Sequence, residues 1–422
     1  MTMPAFEAQP VAAAGGLAPT EPKDRIFQLD MLRGWAILGI LAVNAMAFAW
    51  PIQVEMSASF ELPWMAEPAN RLAHWVVQVF FQDKFRTLFS MLFGVSLFLV
   101  GGERSDLARG KLLRRRLFWL AVFGLIHGLA LWFGDILLLY AWSGVFMMLC
   151  RSWKAGKLFL VGGLIVGFFC LAQAGFGLLM ANLPPEALAQ MQAGQPEVTA
   201  ADIQTAIDAY RSGLPGVLTG NAMSWMMLQG FSLVLLVWGT LGLMMIGLGL
   251  YKTGFLTGRA PTWVYLLVLA IGGANLAALG WLEWQDIQAG PGADPTNGLA
   301  NVAASFAILI TLGYASMLIL LTRFGLKIVT GVLAPVGRMA FTNYLTQTLI
   351  MTTIFYMPWG PRLFGSVDQA GLWAFVGAIW VAQLIWSPLW LSVFSMGPLE
   401  WVWRCLTYGR MVPLRKAAVA RG

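Results

Sequence analysis

The sequence predicts an all-α, polytopic membrane protein, and three features carry that reading. Of 422 residues, 59% are hydrophobic and only 11% charged, against roughly 25% charged in a soluble domain. Apolar stretches long enough to cross a hydrocarbon core of about 30 Å recur along the chain. Basic residues return in alternate gaps between them, the pattern that sets helix orientation in a bilayer. Together these describe a transmembrane helical bundle of about ten spans, with both termini cytoplasmic, in a bacterial-type inner membrane.

The ten stretches are 30–50, 85–102, 117–134, 136–150, 158–181, 225–250, 262–282, 300–322, 332–356 and 371–397. Asp135 parts the third from the fourth, which is short and crosses only if neighbouring helices extend or the membrane thins locally. With a cytoplasmic N-terminus, 22 of the 27 Lys and Arg residues fall inside, the exceptions being Arg71, Lys84, Arg86, Arg211 and Arg362. Opposite them lie 13 of the 20 acidic residues. Residues 1–24 lack the charged start and apolar core of a signal peptide and are expected to be a disordered cytoplasmic tail. One membrane domain spans 25–410, and 411–422 form a basic cytoplasmic tail. Two outer segments are larger: 51–84, with an interfacial helix around 71–81, and 182–222, with an amphipathic helix over 200–211.

Several functions are excluded. The charge of +7 is spread between apolar segments instead of along one face, which argues against nucleic-acid binding. Cys150, Cys170 and Cys405 stand far apart with no second Cys or His at ligand spacing, so neither a disulfide framework nor a metal site is expected. Gly239, Gly242, Gly247 and Gly249 have no strand-turn-helix context and favour close helix contact over phosphate binding. No bound cofactor is expected.

Function therefore has to reside in polar side chains placed in the membrane, each costing about 1 to 3 kcal/mol or more if unpartnered. His127, about 16 Å beyond Arg116 along a continuous helix, is one of only two histidines. A neutral imidazole near an acceptor serves as a general base, so His127 is the leading catalytic candidate and Asp135 its companion. On that continuous helix the two sit about 12 Å apart along the axis, lining one cavity at different depths without being hydrogen bonded. The simpler alternative is a histidine bonded to a neighbouring carbonyl. Asp30 and Arg33 are spaced for an ion pair at the start of the first span, with Asn44 on nearly the same face. Arg338, Asn343, Tyr344, Thr346 and Gln347 give the ninth span a polar face, suited equally to substrate and to interhelical bonds. Asp83, Lys84 and Arg86 form an outer cluster. His74, beside Trp75, is the second histidine.

The runs LDMLRGWAILGILAVN (29–44), FQDKFRTLFSMLFG (81–94), IHGLALWFGDILLLYAWSG (126–144), GRMAFTNYLTQTLI (337–350) and GPLEWVWRCLTYG (397–409), in that order, resemble the YeiB-like family of bacterial membrane proteins. That family, described mainly as a domain of unknown function, has been grouped with transmembrane acyltransferases, including heparan glucosaminide N-acetyltransferase and bacterial sugar O-acyltransferases. The pattern Leu29, Asp30, Arg33, Gly34, Asn44 is similar to the start of that acetyltransferase. The resemblance implies transfer of an acyl group from cytoplasmic acyl-CoA, as donor substrate, by way of a histidine. In the acetyltransferase that histidine follows the first span closely, nearer the position of His74; the role is carried here onto His127.

Acyl transfer is thus the leading expectation. Arg33, Arg338 and Arg404 hold the donor's phosphates, His127 deprotonates a hydroxyl or amine, and Asn44, Asn343 or Gln347 steady the oxyanion. Asp135, Lys84 and Arg86 shape the entrance for a small-molecule, lipid or glycan acceptor. A permease using a His127–Asp135 path is the first alternative, and a non-catalytic scaffold or lipid-binding protein the second. Contact with membrane lipid is expected in every case, and homo-oligomerisation stays open.

Overall fold

A computed structural model describes residues 25–56, 62–193, 198–290 and 294–416 of the chain. The expected tail 1–24 and the end of the basic tail, 417–422, lie outside the described residues. Among the described residues the fold is all-helical, with no strand and a single bridge between Phe394 and Arg415.

The chain runs α1 (Phe27–Ala49), α2 (Pro68–Val76), α3 (Lys84–Gly101), α4 (Leu107–Ile126), α5 (Leu137–Cys150) and α6 (Ala155–Ala181). An outer helix α7 (Ala200–Arg211) follows, then α8 (Leu214–Phe231), α9 (Val237–Lys252) and α10 (Thr262–Ala289). The last part holds α11 (Leu299–Ser305), α12 (Ala307–Arg323), α13 (Leu333–Arg338), α14 (Ala340–Phe355), α15 (Gln369–Val393) and α16 (Pro398–Tyr408). Five-residue π turns extend α2 over Val77–Phe81, extend α4 over His127–Leu131, and join α8 to α9 over Ser232–Leu236.

Among the described residues, six helical segments are long and apolar enough to cross a membrane: Phe27–Ala49, Pro68–Gly101, Ala155–Ala181, Leu214–Lys252, Thr262–Ala289 and Gln369–Val393. The pair α11 and α12, bent by 51°, makes a seventh when counted as one. The other three expected spans coincide with α4, whose first half carries Arg109, Lys111, Arg114, Arg115 and Arg116, and with α5 and α14, which have 14 and 16 residues. The distribution of apolar side chains fits a lipid surround. Leu160, Leu164, Phe168 and Leu171 of α6, and Trp263 and Trp281 of α10, are all more than half exposed, which water would not tolerate over such an area.

The core is organised on α1, whose Met31, Leu32, Ala36, Ile37 and Leu41 are fully enclosed. Small residues let its neighbours approach at backbone distance. A Cβ on Gly34 would come within 2.0 Å of the Leu333 carbonyl oxygen, and one on Gly337 within 1.8 Å of the Asp30 carbonyl oxygen. Gly247 of α9 faces the backbone of Met91 on α3 in the same way, the close contact its glycines led us to expect. The amphipathic α7 begins at a capping box, with Thr199 and Asp202 each accepting from the other's backbone N–H.

Candidate functional site

The third expected span does not continue to 134. The α-helix gives way after Ile126 to the π turn, Trp132 is extended at φ −158° and ψ 130°, and the chain doubles back to begin α5 at Leu137. Two packing events fix the reversal. Trp132 is buried and stacked on Phe48 of α1 at 4.0 Å, and Gly124 leaves room for the returning strand of chain. The Leu131 carbonyl, freed at the helix end, accepts from Asn221 Nδ2 at 2.9 Å and from the Tyr356 hydroxyl at 2.8 Å.

This reversal overturns the expectation that His127 and Asp135 stand 12 Å apart on one helix. His127 Nδ1 and Asp135 Oδ1 are 2.9 Å apart, and both side chains are fully buried. Asp135 also accepts from the backbone N–H groups of Leu137 at 3.1 Å and Leu138 at 2.9 Å, capping α5. With the carboxylate as acceptor, Nδ1 carries the proton and the lone pair is left on Nε2. Nε2 lies 3.0 Å from Oγ1 of Thr348 on α14. Tyr344, one turn before Thr348, places its ring 5.3 Å from the imidazole, and its buried hydroxyl lies by the Ile136 backbone and Asp135, its own proton without an acceptor among the described residues. The result is an acid, a base and a hydroxyl in line, the arrangement that activates a nucleophile.

The other polar residues of α14 face elsewhere. Asn343 Nδ2 donates to the Val336 carbonyl and to Ser387 Oγ, both at 3.0 Å, while its Oδ1 accepts from Trp386 at 2.8 Å. Gln347 Nε2 donates to the Ile37 carbonyl at 3.2 Å and to Gln383 Oε1 at 2.9 Å. These amides clasp α14 to α1, α13 and α15. Asn44 is half-buried on α1.

A second polar cluster lies at the start of α14, below the level of Thr348 in the middle of that helix. Asp30 pairs with Arg33 at 2.8 Å and with Arg25 at 3.7 Å, and Arg33 also reaches Ser96 Oγ at 3.1 Å. Arg338 donates to the Ser395 carbonyl at 3.2 Å, while the buried Nε atoms of Arg338 and Arg25 have no partner among the described residues. Glu400 of α16 accepts from the backbone N–H groups of Phe341 at 2.8 Å and Thr342 at 3.1 Å and from the Thr342 hydroxyl, closing the start of α14. Burial raises the Glu400 carboxyl above its ordinary range against these hydrogen bonds. Burial, followed by the nearby Arg25 charge, lowers the Arg404 guanidinium. Arg116 stacks on Trp403 at 3.6 Å and lies within electrostatic reach of Arg404, Arg33 and Glu400. Five arginines thus surround two carboxylates, leaving a net positive rim.

The outer cluster is a set of local braces. Lys84, almost fully buried, donates to the Gln78 carbonyl at 2.7 Å across the break at Asp83, whose φ is +62°. Arg86 holds Asp83 Oδ1 at 2.7 Å. His74 is exposed beside Gln369. Thr348 and Glu400 are site residues that the sequence reading does not single out, and Arg116 enters it only as a marker of the depth of His127. The one signal for Thr348 is its position four residues after Tyr344, on the same helical face.

Fold and site together define an all-helical protein built for a membrane, with a buried Asp–His–Thr relay beneath a basic rim. A family model described as "Protein of unknown function (DUF418)" matches residues 250–410. The uncharacterized protein YeiB of Escherichia coli (strain K12) is 34% identical over 405 residues, covering 91% of this chain and 96% of the relative. The uncharacterized protein YxaH of Bacillus subtilis (strain 168) is 31% identical over 436 residues, covering 95% and 98%. The chain belongs to the YeiB-like family. No solved structure matches it.

Proposed function

We propose that the chain is an inner-membrane acyltransferase that moves an acyl group from a cytoplasmic acyl-CoA to a hydroxyl or amine acceptor, a membrane lipid or glycan, with His127 as general base. One observation carries this reading: His127 Nε2, freed as an acceptor by the Asp135 contact on Nδ1, lies 3.0 Å from a hydroxyl. The basic rim supports it. Arg33, Arg338 and Arg404, joined by Arg25 and Arg116, offer charge to phosphates, and the Nε atoms of Arg25 and Arg338 are unpartnered among the described residues. Thr348 lies eight helical steps beyond Ala340, about 12 Å into the bundle, so a flexible arm is needed between the phosphates and the reacting carbonyl. With the Asn343 and Gln347 amides committed to interhelical bonds, the free Tyr344 hydroxyl is the better oxyanion donor.

The reading includes ten crossings with both ends cytoplasmic, supported by the 22 of 27 basic residues on one side. It also requires α4, α5 and α14 to cross inside the bundle, shielded by longer neighbours.

The test is transfer of label from radiolabelled acetyl-CoA to a membrane lipid and glycan extract by the purified chain in nanodiscs. Labelled product is expected from the wild type and none from His127→Ala. Full labelling by His127→Ala removes His127 as base, and the absence of product from the wild type removes the reading.

A further inference from the structure

Thr348 differs from three other threonines buried in these helices and resembles Thr342, whose hydroxyl likewise turns to a side chain, that of Glu400. Thr311, Thr322 and Thr407 each donate to the carbonyl four residues back, at 3.0, 2.9 and 2.7 Å, the usual way a helix absorbs a hydroxyl it cannot expose. For Thr348 the same contact, to the Tyr344 carbonyl, is stretched to 3.5 Å, while Oγ1 stands 3.0 Å from His127 Nε2. With the His127 proton on Nδ1, toward Asp135, the Thr348 hydroxyl is placed to donate to Nε2.

We infer that Thr348 is the nucleophile, carrying the acyl group as an ester between two half-reactions; this rests on the acyl-transfer reading above. Thr348 Oγ attacks the thioester carbonyl as its proton passes to His127 Nε2. The carbonyl oxygen takes the negative charge and is met by the Tyr344 hydroxyl. Collapse of the adduct breaks the C–S bond, and His127 returns the proton to the departing thiolate. In the second half, the acceptor hydroxyl or amine gives its proton to Nε2 and attacks the ester carbonyl; Thr348 Oγ leaves and is reprotonated. No electrons are exchanged and no further reactant is needed.

The two-step route also suits the architecture. Phosphates held at the basic rim and an acceptor arriving from the opposite face meet at one buried hydroxyl, and a covalent ester lets them use it in turn.

The experiment is acid-quenched incubation of the full chain with acetyl-CoA, followed by peptide mass spectrometry, alongside the transfer assay. An acetyl group on the peptide holding Thr348 is expected in the wild type and in Thr348→Ser, and none in the near-isosteric Thr348→Val. Transfer by Thr348→Val should fall on the order of 10³-fold or more, with partial rescue by Thr348→Ser. Transfer at the wild-type rate by Thr348→Val overturns the inference and leaves acyl transfer standing, whether or not an adduct is seen. So does a wild type that transfers label but never carries an adduct, which would leave Thr348 as a hydrogen-bond partner only. A wild type that transfers nothing removes the acyl-transfer reading and this inference with it.

Discussion

The Asp135 carboxylate occupies space that only a glycine at position 124 leaves open. A Cβ on Gly124 would approach Asp135 Oδ2 to 2.9 Å and the Leu138 backbone nitrogen to 2.5 Å. The hydrogen bond that Asp135 accepts from His127 therefore depends on a hydrogen atom on a neighbouring helix.

Gly124→Ala should accordingly act as a positioning defect. The added methyl pushes against backbone, at a cost of about 1 to 3 kcal/mol in stability, and moves the carboxylate off Nδ1. Acetyl transfer is expected to drop toward that of an Asp135 variant while the protein still purifies intact. Normal transfer with lowered thermal stability would show that the carboxylate position is unimportant.

Asp135→Asn should be worse than the loss of one hydrogen bond. An amide cannot accept from His127 and from both Leu137 and Leu138, and its N–H₂ group faces other donors. Transfer should fall on the order of 10²- to 10⁴-fold, and unfolding in detergent should ease by roughly 1 to 3 kcal/mol.

Gly337→Ala probes the opposite end. Its methyl would meet the Asp30 carbonyl oxygen at 1.8 Å and the Gly34 nitrogen at 2.6 Å, both backbone atoms. Separating α1 from α13 should cost about 3 kcal/mol, the upper end for overpacking, and loosen the Asp30–Arg33 pair. The readout is the melting temperature together with the KM for acetyl-CoA, which should rise.

The Glu400 carboxyl gives a pH signature. Burial raises it from an ordinary value of 4.5, so the folded state holds its proton more tightly than the unfolded chain. Its contribution is present in full below the unfolded value and is lost as pH rises through the raised folded value. Glu400→Gln, which cannot ionise, should therefore gain stability relative to the wild type as pH climbs above about 4.5. Melting curves of both proteins across that interval check it, and parallel curves would refute the assignment.

Arg338→Gln and Arg404→Gln should raise the KM for acetyl-CoA roughly tenfold each, about the weight of one charge-assisted contact, with a smaller effect on kcat. Added salt should reproduce the change in the wild type.

Much of the architecture was legible because lipid imposes coarse rules. Long apolar runs became helices, the stretch 200–211 became α7, and Asp30 with Arg33 made the pair their spacing implied. The break at Asp135 was legible too, but not that the helix ends by Leu131 and folds His127 back onto Asp135; no proline marks that end, which falls where Trp132 packs against Phe48. Thr348 was hidden for another reason. It is 221 residues from His127, and no local periodicity reports such a contact. Asn343 and Gln347 looked available in sequence because an amide facing a substrate and one clasping a neighbour are chemically identical.

The Leu131 carbonyl receives Asn221, 90 residues later, and Tyr356, 225 residues later. The turn bearing His127 is therefore closed in stages, its local contacts to Asp135 and Phe48 first and its hold on Tyr356 last. A chain halted before Tyr356 would lack one of the two donors that hold the Leu131 carbonyl at the end of that turn.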